Sequence, residues 1–180
     1  LLIVGSFTFL YSFAHNAIYP NSSGNFDAGN TFASNGWTVV NSSANEWVVG
    51  TGASATPPSS PNTAYISIDG NTNNYSYDNT TKHISHFYRV VTLPSNAINI
   101  ALSFQLKGNF ENDANGNLVD GLEVYTNDIT NVPVADALPS GPNAFQQFPQ
   151  SSNNDQYIGQ SINLHLFAGK TFLLIFTWIN

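Results

Sequence analysis

The feature that most narrows the fold is a run of period-two alternation at residues 97–107. There Ile98, Ile100, Leu102, Phe104 and Leu106 interleave with Asn99, Ala101, Ser103, Gln105 and Lys107. Side chains two apart share a face only in an extended chain, so the run predicts a strand with one face on a core and the other in water. Residues 170–179 carry the argument further: Phe172, Leu174, Phe176 and Trp178 fall on one face, Leu173, Ile175 and Ile179 on the other. A strand apolar on both faces belongs at the centre of a sheet, covered on both sides. Shorter runs at 36–41, 46–51, 64–68, 83–93, 121–126 and 157–166 complete the set of candidate strands, with no helix-period stripe and no internal repeat. The segments 52–62, 70–81 and 130–155 are rich in Pro, Gly, Asn and Ser and read as surface loops. The expected class is all-β, an antiparallel β-sandwich.

Composition narrows the partners. The chain has 180 residues, enough to bury one sizeable core, and 13 Phe, 8 Tyr and 3 Trp to fill it. Against 11 acidic residues stand only 4 Lys and Arg, a net charge of −7, which excludes a phosphate-tracking surface and with it a nucleic-acid partner. With no cysteine there is no disulfide, thiolate or cysteine-bound zinc, and thiol usage says nothing of the compartment. The polar surface is built instead from 25 Asn and 33 Ser and Thr, a balance common in extracellular β-proteins of microbes.

Residues 1–14 (LLIVGSFTFLYSFA) form an apolar stretch shorter than the roughly 20 residues of a membrane span, so no span is expected. One reading is a secretory h-region with Ser12 and Ala14 before a cut, although no basic residue precedes it. A second is a retained strand: Phe7, Phe9, Tyr11 and Phe13 share one face, Ser6, Thr8 and Ser12 the other, with Leu10 the exception. A third is a segment lying on a membrane. The alternation favours the strand. A polar hinge at 19–24 follows, dividing the chain into an N-terminal hydrophobic strand at 1–20 and a sandwich domain at 21–180.

An ordered series of motifs runs through the rest: Asn25-Phe26-Asp27, Asn35-Gly36-Trp37-Thr38-Val39-Val40-Asn41, Glu46-Trp47-Val48-Val49-Gly50, Ala64-Tyr65-Ile66-Ser67, Ser85-His86-Phe87-Tyr88-Arg89-Val90, Leu102-Ser103-Phe104 and Ile175-Phe176-Thr177-Trp178-Ile179-Asn180. From residue 26 to 180 this series resembles the choice-of-anchor J domains, MAM-like modules of secreted bacterial surface proteins. The resemblance implies a jelly-roll-like sandwich, an extracellular or cell-surface location and a non-catalytic role in adhesion, ligand binding or surface display. It assigns no catalytic residue. The family pattern continues with a loop and one more strand where this sequence stops at Asn180. The expectation is a sandwich short of one strand, its place taken by residues 1–14 of another copy. The interface would then pair Phe7, Phe9, Tyr11 and Phe13 with Phe172, Leu174, Phe176 and Trp178.

Candidate chemistry is sparse. A glycosidase needs two carboxylates about 5–9 Å apart, yet Asp120 and Glu123, three apart, face opposite sides of a strand. Oxygen ligands at Asp113, Asn115, Asn117 and Asp120 have the alternate spacing of a calcium loop, with Asp27 as a further ligand by analogy with jelly-roll modules. The match breaks at Leu118, where the loop glycine belongs, and at Val124, where the bidentate Glu belongs, so a solvated turn is the competing reading. No other cofactor is expected. His83 and His86 also point to opposite faces and cannot share a metal; His86 reads as a hydrogen-bonded strand residue. His15 and His165 are isolated. Trp37, Trp47 and Trp178 read as core. Tyr75 and Tyr77, in a polar loop, are the candidates for carbohydrate contact. Four N-x-Ser/Thr sequons, at Asn21, Asn41, Asn74 and Asn79, are no more than chance supplies in so Asn-rich a chain.

The sequence thus leads to a non-enzymatic structural subunit of an extracellular filament or surface layer, a homopolymer joined by donor-strand complementation. The alternative is a monomeric adhesive or carbohydrate-binding module, truncated at both ends, with surface glycans as partners.

Overall fold

The computed structural model describes residues 17–18, 24, 26–51, 62–72, 74, 76–108, 110–116, 118–141, 146–148 and 157–180. Among these residues ten strands follow in order: β1 (Thr38–Val40), β2 (Glu46–Gly50), β3 (Thr63–Ser67), β4 (Ile84–Thr92), β5 (Ala101–Leu106), β6 (Glu111–Asn112), β7 (Leu118–Asn127), β8 (Gln146–Phe148), β9 (Ile158–Asn163) and β10 (Thr171–Ile179). The fold is an all-β antiparallel sandwich. Its main sheet runs β1-β4-β10-β7, with β6 and β8 both pairing with β7, while β2-β3 and β5-β9 form separate two-stranded sheets.

The doubly apolar strand sits where its pattern requires. β10 pairs along its whole length with β4 on one side and along Leu173–Ile179 with β7 on the other, so Phe176 lies between Phe87 and Val124. On the first face, Trp37, Trp47, Phe87, Val124, Leu174, Phe176 and Trp178 form one buried cluster, which includes all three tryptophans. Phe87 and Phe176 stack at 4.8 Å, Trp47 meets Phe87 edge-on at 4.8 Å and Phe104 meets Phe176 edge-on at 5.3 Å. Burying each large apolar side chain contributes about 1.5–3 kcal/mol, which makes β10 the chief source of cohesion.

The second face carries Leu173, Ile175 and Tyr125, also buried. Its cover is a strap, residues 128–141, which inserts Pro133 and Pro139 as buried side chains. The expected surface loop at 130–155 therefore does structural service, and it contains β8.

Three expected strands are shorter than the pattern suggested, each for a local reason. β5 begins at Ala101 because Asn99 adopts a left-handed φ of 56°, which interrupts the extended chain and leaves Ile98 70% exposed. Gly36, at φ 73°, closes the short 3-10 turn Ala33–Asn35 and delays β1 to Thr38. β9 ends at Asn163, whose side-chain oxygen accepts a bond from the His165 N–H at 2.8 Å as the chain enters the 3-10 turn His165–Phe167.

Candidate functional site

The layer opposite the main sheet is divided. Among the described residues β2-β3 and β5-β9 share no backbone ladder with each other. Of the side chains they turn inward, Trp47, Val49 and Ile162 are buried, whereas Ala64, Ile66, Leu102, Phe104 and Leu106 are only half-buried. The residues they cover, Phe172, Leu174, Phe176 and Trp178, are at most 7% exposed. The outer edge of β2 is partly closed by an amide: Asn41 accepts from the Trp47 N–H at 2.8 Å and donates to the Trp47 carbonyl at 3.2 Å, as a neighbouring strand would. No comparable clip is seen on the outer edges of β3, β5 or β9 among the described residues.

Phe7, Phe9, Tyr11 and Phe13 lie outside the described residues. Their expected partners on β10 sit in this chain's own core, and both edges of β10 are taken by β4 and β7. A strand added from elsewhere has room only on another edge. Ala17 and Ile18 pack against the core of their own chain, so the subunit begins before the expected hinge at 19–24.

Among the described residues, the candidate calcium ligands Asp27, Asp113 and Asp120 do not form one metal-holding group. Asp113 uses its carboxylate to cap its own hairpin turn, accepting from the Asn115 N–H at 2.8 Å. Asp120 is buried on the core side of β7 and accepts from the Tyr77 hydroxyl at 2.7 Å. Asp27 lies in the turn before the 3-10 segment Ala33–Asn35, and Asn117 is outside the described residues. Among the described residues no group of three or more His, Asp or Glu is placed to hold a metal. Tyr77 has a second engagement, its ring edge-on to Trp178 at 5.4 Å. The Asp120 bond pushes its hydroxyl pKa up to about 12. Tyr75 lies outside the described residues.

Two polar clusters are illegible in the sequence because their members are far apart along it. At one end of the sandwich, Ser42 Oγ donates to Asp136 Oδ1 at 2.6 Å and lies 2.7 Å from His83 Nδ1, with His83 Nε2 3.5 Å from Asp78. A hydroxyl, an imidazole and carboxylates in a row suggest nucleophilic catalysis. Yet the single Ser42 proton is committed to Asp136, so Nδ1 must donate to Ser42 rather than accept from it. The serine is therefore a bridge and not an activated nucleophile. Ser42, chiefly, holds the Asp136 carboxyl below its usual range, and the Thr80 hydroxyl and N–H do the same for Asp78. Asn45 and Asn180 complete this end: Asn45 Nδ2 donates to Asn180 Oδ1 at 2.7 Å, and both amides donate to the Asp78 carbonyl.

The other cluster lies beneath the strap. Glu123, Thr177 and His86 stand side by side across β7, β10 and β4. Glu123 accepts from Tyr125, whose hydroxyl pKa is pushed up first by burial and then by that bond. His86 bonds Thr177 Oγ1 through Nδ1 at 3.0 Å and reaches the carbonyls of Val134 and Ala137 through Nε2, each at 3.1 Å. Two carbonyl acceptors fix the proton on Nε2, and burial lowers the imidazole pKa. Thus His86 is a neutral latch on the strap and, as expected, a hydrogen-bonded strand residue.

No family model, curated protein or solved structure matches this chain. Functional inference therefore rests on the geometry: two satisfied polar clusters, each tying distant segments together, and an apolar layer whose inward side chains on β3 and β5 are half-buried. No helix among the described residues is long and apolar enough to cross a membrane.

Proposed function

We propose that the protein is a structural subunit of an extracellular filament or surface layer, in which residues 1–14 of one copy complete the divided layer of the next. The observation that carries this reading is the contrast across the core: fully buried side chains on β10 face half-buried ones on β3 and β5. A strand with apolar residues at every second position is the element that such a layer accepts, since it satisfies edge hydrogen bonds and core together. Four aromatic side chains in the donor segment would supply roughly 6–12 kcal/mol on burial, before association and ordering costs. The choice-of-anchor J resemblance supports placement outside the cell. With Ala17 and Ile18 seated on their own core, only a short stretch of sequence separates the donor segment from its own subunit, and successive subunits would abut.

The test is deletion of residues 1–14. Soluble, destabilised single subunits are expected, which a synthetic peptide of that segment restabilises while it blocks polymerisation of the intact protein. Polymerisation of the truncated protein at the normal rate overturns the reading. So does a monomeric intact protein whose segment is protected from hydrogen exchange by its own sandwich. The adhesive or carbohydrate-binding module then takes precedence.

A further inference from the structure

Two asparagines in the chain are followed directly by glycine, Asn35-Gly36 and Asn115-Gly116. Such a pair carries its own chemistry: the glycine main-chain nitrogen can attack the preceding side-chain amide, because no Cβ stands in the way. Folding sets the two pairs apart. Asn35 is fully buried; its Oδ1 accepts from the Ala28 N–H at 3.1 Å, and its Nδ2 donates to the carbonyls of Gly29 and Thr31 at 2.7 and 2.8 Å. The Gly36 N–H donates to the Ala33 carbonyl at 3.0 Å, and the Arg89 guanidinium lies 3.6 Å from where a Cβ on Gly36 would stand. Asn115 and Gly116 are both exposed, in the turn between β6 and β7. No described residue holds the Asn115 side-chain amide, and beyond its chain neighbours nothing stands within 4 Å of the place a Cβ on Gly116 would take. One restraint remains, the bond from the Gly116 N–H to the Asp113 carbonyl at 2.9 Å.

We propose that Asn115 is a site of spontaneous deamidation in the folded protein, a slow mark of age on the β6–β7 turn, while Asn35 is held unreacted. The Gly116 nitrogen, its proton lost to solvent, bonds to Asn115 Cγ. The bond from Cγ to Nδ2 breaks, and the departing nitrogen takes up a proton and leaves as ammonia. Water then opens the cyclic succinimide at either carbonyl, which yields aspartate or isoaspartate. Water is the only co-reactant. Opening the bond to Asp113 slows the first step by no more than about tenfold relative to the unfolded chain, since that bond is exposed. Freeing Asn35 takes the rupture of its buried bonds to Ala28, Gly29 and Thr31 together with the turn they fasten. The product adds one negative charge to a chain already at −7. The adjoining strand, β6, is two residues long and lies at one end of the main sheet, so the core is undisturbed and the marked protein stays folded. This reading is independent of strand donation.

In the experiment, the intact protein is aged at physiological temperature in neutral buffer and, in parallel, in concentrated urea. Protease digests are mapped by mass spectrometry for the gain from amide to acid, and isoaspartyl methyltransferase labelling identifies isoaspartate. In buffer Asn115 should react faster than Asn35 by about a hundredfold or more, whereas in urea the two should react at similar rates. Asn115→Gln should melt with the parent and lose both the acid and the label at this turn. The aged parent should keep its circular dichroism spectrum. Several results overturn the proposal: an Asn115 amide that persists in buffer while it is lost in urea, an Asn35 that keeps pace with Asn115 in buffer, label at the turn of Asn115→Gln, or an aged protein that has unfolded.

Discussion

The neutral His86 latch makes a quantitative claim about stability and pH. Replacing it with Phe keeps a ring in the space but removes three hydrogen-bonding relationships: Thr177 Oγ1 and the carbonyls of Val134 and Ala137. A buried polar group left unpaired costs about 1–3 kcal/mol, and strap carbonyls able to turn towards water recover part of it. The expected loss is about 2–4 kcal/mol, a large share of the roughly 5–15 kcal/mol that holds a domain of this kind. The pH dependence has a definite sign. Burial lowers the folded-state pKa of His86 below 6.5, so below that value the unfolded chain binds the proton more readily than the folded one. The stability contributed by the neutral ring is full above about pH 6.5 and is lost as pH falls towards the folded-state pKa, by about 1.4 kcal/mol for each pKa unit of depression. Urea unfolding read by tryptophan fluorescence would measure this, since all three tryptophans are buried. The gap between parent and His86→Phe should be widest at pH 7.5 and narrow towards pH 5. A gap that is constant or widens on acidification would refute both the tautomer and the latch.

Two further outcomes follow from the same structure. Phe104→Asp should abolish folding, because the ring packs against Phe148 and Phe176 and an unpaired charge there costs several kcal/mol, whereas Gln105→Asp, on the exposed face of β5, should change the melting temperature little; circular dichroism melts distinguish them, and equal effects would contradict the strand phase. Millimolar calcium should leave the melting midpoint where chelator leaves it, because Asp113 caps its own turn and Asp120 is engaged by Tyr77; a calcium-dependent rise would show that the hairpin reorganises into a site.

Strand-forming segments were legible where burial imposes a short period. The alternation through Leu102, Phe104 and Leu106 and the two-faced pattern of β10 predicted element, phase and centrality, because each depends only on neighbours along the chain. β6 and β8 escaped because two or three residues are too few to carry a period, and they are placed by pairing with β7. That β10 needs a second cover was readable from Leu173 and Ile175; that a loop with Pro133 and Pro139 supplies it was not. The polar clusters were opaque for a related reason. Ser42 and Asp136 are 94 residues apart, and Asn45 and Asn180 are 135 apart, distances over which composition alone says only that amides and hydroxyls are abundant. Arg89 belongs to a quoted motif, yet its approach to the Trp37 ring is a property of the packed molecule.

The latches on the strap grip main-chain atoms. His86 holds the carbonyls of Val134 and Ala137, and Asn127 holds that of Ser140 at 2.8 Å, while the side chains of Val132, Val134 and Leu138 point outward, 48%, 67% and 51% exposed. Asp136 adds its own carboxylate to the fastening, accepting from Ser42 and from the Ile84 N–H. A segment fastened in this way is indifferent to most of the letters written on it. With Pro133, Asp136 and Pro139 retained, the outward positions offer a display surface on which foreign peptide sequences could be grafted without renegotiating the core beneath.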